Sequence, residues 1–189
     1  QISRCFGCHE GGDVFTFWRE FENLNFVEVV QRLAERASIS IEFEMTPSQR
    51  EEHSDKETLR ILHEHVAKRW ETTLANDARA EAARVYLAKR SISDEAVKRF
   101  RLGFAPDEWS DTMNWAKSKK YDPKLLEKGG LAIAGDKGHY DRFRGRLIFP
   151  ICDEQGRVIG FSGRVLSADQ KGGKYINSPE TPIFSKRRV

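Results

Sequence analysis

The chain has 189 residues, of which 39% are hydrophobic and 32% charged, with 32 Lys plus Arg against 29 Asp plus Glu. This length is enough for one or two small domains, and the apolar content excludes a wholly disordered chain. No stretch approaches the roughly 18 consecutive apolar residues of a membrane-spanning helix, and the start contains no signal-like apolar run, so we expect a cytoplasmic protein without a membrane partner.

The positive charge is concentrated in the last quarter of the sequence. Residues 142–189 contain ten Lys or Arg and four Asp or Glu, a net charge of +6, whereas the remaining residues sum to −3. Aromatic residues alternate with these basic residues, and this mixture is typical of surfaces that bind a polyanion carrying flat bases. A solvated, charged sheet surface is the alternative interpretation.

Residues 1–45 are predicted to form two helices after a cysteine motif. Asp13 is the predicted N-cap of a helix over residues 14–22, and Asn25, with Glu28 in the capping-box position, begins the next. Both helices have an apolar stripe, which we expect to be core. Residues 39–43 alternate apolar and polar side chains, which predicts a short strand or an extended exit.

Residues 46–58 are polar and charged, and they are predicted to be a linker, either coil or a solvated helix that begins at Pro47.

Several helices are predicted after the linker. A long amphipathic helix contains Leu59, Leu62, Val66, Trp70 and Leu74. A second follows Asp77 and uses Ala82, Val85, Tyr86 and Leu87; shorter ones span about 93–100, 111–119 and 123–128. We expect all four tryptophans to be core, with Trp109 the one candidate for exposure.

From residue 131 onward the pattern is typical of strands separated by turns. The turn sequence D-E-Q-G joins R-L-I-F-P-I-C to R-V-I-G-F-S-G-R-V-L, which predicts a β-hairpin. Helices first and strands afterwards indicate an α+β fold with a mostly antiparallel sheet.

The motif C-F-G-C-H at residues 5–9 has three interpretations. Cys5 and Cys8 can supply two of the four ligands of a structural zinc, in which case the other pair lies outside this sequence. Alternatively, C-x-x-C-H is the attachment pattern of a c-type haem, with His9 as axial ligand. A thioredoxin-like redox pair or inert thiols are the third possibility. Because the sequence starts without Met, directly before this motif, we expect a fragment of a longer protein.

Seven segments of the chain together resemble the bacterial DnaG-type DNA primases. Two resemble the second half of the primase zinc-binding domain: C-F-G-C-H-E-G-G-D-V-F-T-F at 5–17 and F-V-E-V-V-Q-R-L-A-E-R-A at 26–37. Five resemble the amino-terminal part of the polymerase core: Y-L-A-K-R at 86–90, L-G-F-A-P at 102–106, Y-D-R-F-R-G-R-L-I-F-P-I at 140–151, G-R-V-I-G-F-S-G-R-V-L at 156–166 and K-Y-I-N-S-P-E-T-P-I-F-S-K at 174–186.

The resemblance implies a fragment of a primase, a DNA-directed RNA polymerase that makes RNA primers from ribonucleoside triphosphates on single-stranded DNA. Residues 1–45 would be the carboxyl-terminal half of the zinc-binding domain, which leaves a small truncated zinc-ribbon remnant. Residues 46–58 would be the linker, and residues 59–189 the amino-terminal subdomain of the polymerase core. The metal-binding acidic residues, which would hold magnesium or manganese, would lie in a following Toprim domain, so we expect the isolated chain to be inactive. The replicative helicase of the primosome would bind a region outside this chain, and the protein would be nucleoid-associated.

The resemblance also implies the nucleic-acid and nucleotide site, without a catalytic residue in this chain. The implied contacts are Arg142, Arg144, Arg146, Arg164, Lys174, Tyr175, Asn177 and Lys186. Arg144 and Arg146 are two residues apart, so on a strand they would share one face. Arg157 is expected to be a surface charge beside a turn. A non-catalytic module of a mobile-element or regulatory protein that binds single-stranded DNA is the alternative function.

Overall fold

The structure is a computed structural model that describes residues 2–7, 11–22, 24, 26–41, 46–136, 138–166 and 173–186. The chain divides into two compact units, one ending at Arg50 and the other beginning at Glu51. This boundary falls inside the predicted linker. Among the described residues, no helix combines the length and the apolar character that crossing a membrane requires.

The first unit contains a two-stranded antiparallel sheet and two helices within its described part. Strand β1 (Ser3–Arg4) pairs with β2 (Gly11–Gly12), and helices α1 (Val14–Glu22) and α2 (Phe26–Arg36) follow. The predicted N-cap of α1 is confirmed, because the carboxylate of Asp13 accepts the backbone N–H of Thr16 at 2.8 Å. The predicted cap Asn25 lies outside the described residues.

The prediction that both apolar stripes of this unit are core is wrong for α1. Helix α2 buries Val29 and Ala34, but no residue of α1 is buried, and Phe17 and Phe21 are 49% and 60% exposed. Their rings stack on each other at 5.5 Å. Two strands of two residues each offer too little surface to cover both helices. Residues 39–41 lie outside helix and strand, and residues 42–45 lie outside the described part.

The second unit is built on helix α3 (Pro47–Asn76), whose 30 residues include almost the whole predicted linker. Pro47 stands in the first turn, where its missing N–H costs nothing. No glycine or further proline interrupts the helix, so its polar first half stays helical. The predicted apolar stripe of the second half is confirmed: Leu59, Leu62, Val66, Trp70 and Leu74 are each at most 2% exposed.

The later helices lie close to their predicted positions. A 3₁₀ turn (Ala78–Ala80), capped by Asp77, leads to α4 (Glu81–Lys89), α5 (Asp94–Arg99), α6 (Asp111–Ser118) and α7 (Pro123–Lys128). Ser93 and Asp122 cap α5 and α7 through their side chains. The apolar face of α4 differs from prediction, because Ala83 and Leu87 are buried whereas Val85 is 42% exposed.

In the described part, four strands form an antiparallel sheet in the order β3 (Gly103–Ala105), β6 (Arg146–Cys152), β7 (Val158–Val165) and β8 (Tyr175–Asn177). The predicted hairpin is the pair β6 and β7, with a register shift near Ile151. Strands β4 (Ala132–Gly135) and β5 (Gly138–Asp141) form a separate antiparallel pair. The α+β fold class is confirmed.

Helix α3 packs its large side chains on one face of this sheet. The Trp70 ring lies 4.9 Å from Phe161 and 5.7 Å from Phe143, both edge to face. Helix α3 can lie this close to β3 only because residue 103 is glycine, since a Cβ there would lie 2.7 Å from the Cβ of Trp70. A second core cluster joins Leu87 of α4 to Phe104 and Leu147 of the sheet.

The buried imidazole of His63 predicts how stability changes with pH. Its Nδ1 donates to the carbonyl of Leu59 at 2.8 Å, its ring stacks on Phe161, and burial lowers the pKa of His63 from 6.5 to about 4. As the pH falls below 6.5, the unfolded chain takes up a proton that the native state does not. The contribution of His63 to the free energy of unfolding should therefore fall by about 3 kcal/mol between pH 6.5 and 4.

Chemical denaturation across this pH range measures the effect. His63→Phe should remove this part of the pH dependence, because the unfolded variant no longer gains the proton. His53→Gln, which removes an exposed imidazole from the same helix, should keep the wild-type dependence. An unchanged pH dependence in His63→Phe would show that burial does not lower the pKa of His63 in the native state.

Candidate nucleic-acid interface

Three of the predicted arginines line one cavity of about 360 Å³, which we call the arginine cavity. Arg142 and Arg144 lie in the connection between β5 and β6, and Arg146 is the first residue of β6. The full lining is Asp107, Glu108, Trp109, Arg142, Arg144, Arg146 and Ile176. The structure therefore brings these three side chains together, although Arg144 precedes the strand and does not alternate with Arg146 along it.

The connection between β5 and β6 is held by Asp141, which is 2% exposed. Its carboxylate accepts the backbone N–H groups of Thr112 at 2.6 Å and Met113 at 2.9 Å, in the first turn of α6. Its own N–H donates to the carbonyl of Trp109 at 2.8 Å. A carboxylate at a helix N-terminus is favoured by the unpaired amides there. Asp141 thus fixes the arginine connection relative to the segment that carries Trp109.

The guanidinium of Arg144 stacks on Trp109. Its Cζ lies 4.2 Å from the centre of the Trp109 ring and 5.3 Å from that of Tyr140, and its Nη1 donates to the carbonyl of Asp141. Trp109 is nevertheless 67% exposed. A cation–π contact holds the indole in place, and the exposed part of the ring remains available for stacking with a base.

Arg142 and Arg146 donate to backbone carbonyls of β7, of β8 and of the segment before β8. Arg142 donates through Nε and Nη2 to the carbonyl of Asn177 at 3.3 and 3.2 Å. Arg146 is 5% exposed, and its Nη1 donates to the carbonyls of Gly163 and Gly173, both at 3.1 Å. Burial lowers the pKa of both guanidinium groups. Arg146 therefore connects β6 to β7 and to Gly173, two residues before β8, with little of its surface accessible.

Arg164 lies on the opposite face of the sheet from Arg146. In the antiparallel register Leu147 pairs with Arg164, and neighbouring residues of a strand point to opposite faces. Arg164 instead lies between two tyrosines: its Cζ is 4.7 Å from the ring centre of Tyr86 and 5.5 Å from that of Tyr175, and its Nη1 donates to Tyr175 Oη at 3.1 Å. Strand register therefore separates Arg164 from Arg146, and Arg164 is not among the residues that line the arginine cavity.

The two arginine clusters flank β8, an edge strand of the sheet. Tyr175 and Asn177 pair with Arg164 and Ser162 and share their face, whereas Ile176 lines the arginine cavity. Lys174, which directly precedes β8, and Lys186 are both exposed. The backbone N–H of Lys186 donates to Glu180 Oε1 at 2.8 Å. Lys171, Arg187 and Arg188 lie outside the described residues.

The predicted turn charge Arg157 donates through Nε to Asp153 at 2.8 Å. It lies beside the turn between β6 and β7, where the same carboxylate accepts the backbone N–H groups of Gln155 and Arg157. This is the arrangement expected of a turn-flanking surface charge. Arg157 is not among the residues that line the arginine cavity.

Cys5 is exposed and follows β1, whereas Cys8 and His9 lie outside the described residues. A thiol is a suitable ligand for zinc. Among the described residues, however, no group of three or more His, Cys, Asp or Glu side chains could hold a metal ion. The described part of the chain therefore does not make a complete tetrahedral zinc site.

Sequence reasoning missed the three aromatic residues that pack on the arginines: Trp109, Tyr140 and Tyr86. Of the four tryptophans expected to be core, Trp70 is fully buried, Trp18 and Trp115 are partly buried, and Trp109 is exposed. The sequence around Trp109 does indicate that this side chain is exposed. Trp109 follows Asp107 and Glu108 in a loop before the cap of α6, and it belongs to no apolar stripe.

The chain matches two families of known proteins. Residues 70–189 match the family described as DNA primase catalytic core, N-terminal domain, and residues 1–49 match the CHC2 zinc finger. The DNA primase of Staphylococcus aureus (strain COL) is 36% identical over 193 residues, which cover 100% of this chain and 32% of that protein. The chain thus spans about a third of the length of the curated relatives it matches.

Solved structures of DNA primases are also similar to this chain. A DnaG primase catalytic domain bound to ssDNA is 41% identical, with a TM-score of 0.65, over 71% of this chain and 43% of that chain. The zinc-binding and RNA polymerase domains of the Aquifex aeolicus primase are 28% identical, with a TM-score of 0.62, over 98% of this chain and 43% of that chain.

The burial of Asp141 predicts an elevated pKa at this site. Burial raises the pKa of Asp141 from 3.8 to about 6, against the opposing effect of the Thr112 and Met113 amides. As the pH falls from about 6 to 4, the native state takes up a proton before the unfolded chain does. The contribution of Asp141 to the free energy of unfolding should therefore rise by about 3 kcal/mol, opposite in sign to that of His63.

Carboxyl-carbon NMR on the whole chain should detect an aspartate that titrates near pH 6, and Asp141→Asn should remove that signal. Across the same pH range, wild type should gain stability relative to Asp141→Asn as the pH falls. An Asp141 carboxyl with a pKa near 3.8 would show that the amide hydrogen bonds fully offset the effect of burial.

Proposed function

The chain belongs to the DnaG family of DNA primases, and from this membership we propose that it holds the single-stranded template while a primase makes an RNA primer from ribonucleoside triphosphates. The observation that carries the proposal is the arginine cavity, where Arg142 and Arg144 meet the exposed indole of Trp109. A relative of this family, the DnaG catalytic domain, is described as bound to ssDNA.

In the proposed complex, the template crosses the sheet at β8. On one side, Trp109 stacks with a base while Arg142 and Arg144 neutralise phosphates. On the other side, Tyr175 and Arg164, with Lys174, Asn177 and Lys186 nearby, contact the next nucleotides. Such contacts read no sequence, because phosphates and base faces are common to all nucleotides. Arg146 acts mainly by holding the edge of the sheet in place.

The domain assignment is part of the same proposal. Residues 1–45 would be the carboxyl-terminal half of a zinc-binding domain, residues 46–58 the linker, and residues 59–189 the amino-terminal subdomain of the polymerase core. The matches over residues 1–49 and 70–189 support this division. The divalent ions that phosphoryl transfer needs, magnesium or manganese, would be held by a Toprim domain, so this chain would bind template without extending a primer.

Binding of a short single-stranded oligonucleotide, about 5 nucleotides long, tests the template interface. Trp109→Ala should weaken binding by about 1–3 kcal/mol, because a stacked base loses its partner. Arg144→Ala should lower affinity and reduce the salt dependence, log Kd against log salt, by about 0.7 for one lost phosphate contact. Fluorescence anisotropy at several salt concentrations measures both quantities.

The matched control is Arg157→Ala, which removes the same charge from a turn and should bind like wild type. If Trp109→Ala and Arg144→Ala also bind like wild type, the arginine cavity is not the template site. Equal losses in all three variants would indicate attraction to the overall charge of the chain.

For the first unit we propose that Cys5 and Cys8 are two thiolate ligands of a zinc ion whose remaining ligands lie outside the described residues. The match of residues 1–49 to the CHC2 zinc finger supports zinc as the metal. Two thiolates without a second pair leave the ion open to water and exchange, so the 189-residue chain should retain far less than one zinc per molecule.

Metal analysis of the purified chain after dialysis measures the zinc content, with Cys5→Ser/Cys8→Ser as the control for adventitious zinc. We expect wild type and control to differ little. One tightly held zinc per chain that disappears in the control would mean that this chain completes the site by itself.

A further inference from the structure

A second groove, of about 650 Å³, lies between α3 and α6, and we call it the α3–α6 groove. Lys68, Arg69 and Asp77 line it from α3 and the residue that follows α3, and Trp115 and Lys119 line it from α6 and the residue after it. Its size falls within the range of about 300–1,000 Å³ that is typical of ligand sites. Sequence analysis assigned none of these residues to nucleic acid.

The charges around the α3–α6 groove favour an anionic ligand. The side chain of Lys68 is 75% exposed and lies 3.5 Å from Glu71 at its nearest, and Lys119 is exposed. The acidic residue of the lining, Asp77, accepts Nε and Nη2 of Arg79 at 3.0 and 2.6 Å and is thereby neutralised. The exposed ammonium groups of Lys68 and Lys119 are therefore the positive charges that a ligand would meet, and Lys68 would exchange its ion pair with Glu71 for a phosphate.

An aromatic ring accompanies these charges. The Cζ of Arg69 lies 5.5 Å from the ring centre of Trp115, and Arg69 also forms an ion pair with Asp111. Trp115 is thus held between the core and the groove, with part of its ring accessible. Basic side chains beside an aromatic ring repeat the chemistry of the arginine cavity, where Arg144 stacks on Trp109.

One side chain, Arg79, separates the two sites. Its guanidinium binds Asp77, which lines the α3–α6 groove, and Glu108, which lines the arginine cavity. The same group lies 3.2 Å from Asp111, which also pairs with Arg69. A polynucleotide that leaves the arginine cavity past Trp109 would therefore meet the α3–α6 groove after crossing a single guanidinium.

We propose that the α3–α6 groove is a second binding site for single-stranded nucleic acid, in which Lys68 and Lys119 neutralise phosphates of the strand that continues from the arginine cavity. This inference rests on the proposed function of the arginine cavity. It adds a path for the template that runs along α3 and α6, away from β8.

Two oligodeoxynucleotides test the proposal on the 189-residue chain: a short one of about 5 nucleotides, which fills the arginine cavity, and a long one of about 15. Lys68→Ala/Lys119→Ala should bind the long strand about tenfold more weakly and reduce its salt slope by about 1.4, for two lost phosphate contacts. Binding of the short strand should be unchanged. The charge reversal Lys68→Glu/Lys119→Glu should enlarge the loss on the long strand alone.

The matched control is Lys98→Ala/Lys124→Ala, which removes two exposed lysines outside both sites and should leave both affinities at their wild-type values. Unchanged binding of the long strand by both groove variants would overturn the proposal, as would equal losses on the short and the long strand. Failure of the proposed function gives a different result, since Trp109→Ala and Arg144→Ala would then not affect the short strand.

Discussion

The contact between three buried aromatic rings, Trp70, Phe143 and Phe161, determines where the basic side chains lie. Trp70 comes from α3 and Phe161 from β7, and Phe143 stands between Arg142 and Arg144 in the β5–β6 connection. Because Phe143 is 1% exposed, it ties the connection to the core and leaves the two flanking arginines at the surface. Loss of a ring of this size from a core costs about 3–5 kcal/mol. The energy that stabilises the fold thus also positions the proposed template site.

Close backbone approach makes this contact possible. Glycines at 103 and 163 stand where a Cβ would lie 2.7 Å from Trp70 and 2.8 Å from Phe143, respectively. The aliphatic part of the Arg146 side chain also packs against Gly163, since a Cβ at position 163 would lie 3.0 Å from the Cδ of Arg146. The absence of a side chain at Gly163 therefore makes room both for Phe143 of the aromatic core and for the buried side chain of Arg146, which connects the strands. Larger residues at these two positions would separate α3 from the sheet and displace the β5–β6 connection.

Electrostatic pairing divides the basic residues of the second unit into two kinds. Arg79, Arg101 and Arg157 are held by carboxylates: Arg101, for example, binds Glu64 at 2.8 Å and Glu71 at 2.9 Å. Arg142 and Arg164 are instead held by backbone carbonyls or aromatic rings. A neutral partner orients a guanidinium without cancelling its charge, so these side chains remain able to attract phosphate. The net charge of the region does not reveal this difference.

The sequence by itself determined the local features of this protein. Apolar residues at helical spacing located the buried stripe of α3, side-chain caps located α5 and α7, and the turn D-E-Q-G located the hairpin of β6 and β7, because each depends on neighbours within a few residues. The resemblance of seven ordered segments indicated the family before the structure was considered. Tertiary structure alone decided which side chains meet. It placed Arg146 and Arg164 on opposite faces, exposed Trp109 beneath Arg144, and brought Asp77 and Glu108 to one guanidinium, since strand register and packing between distant segments set these contacts.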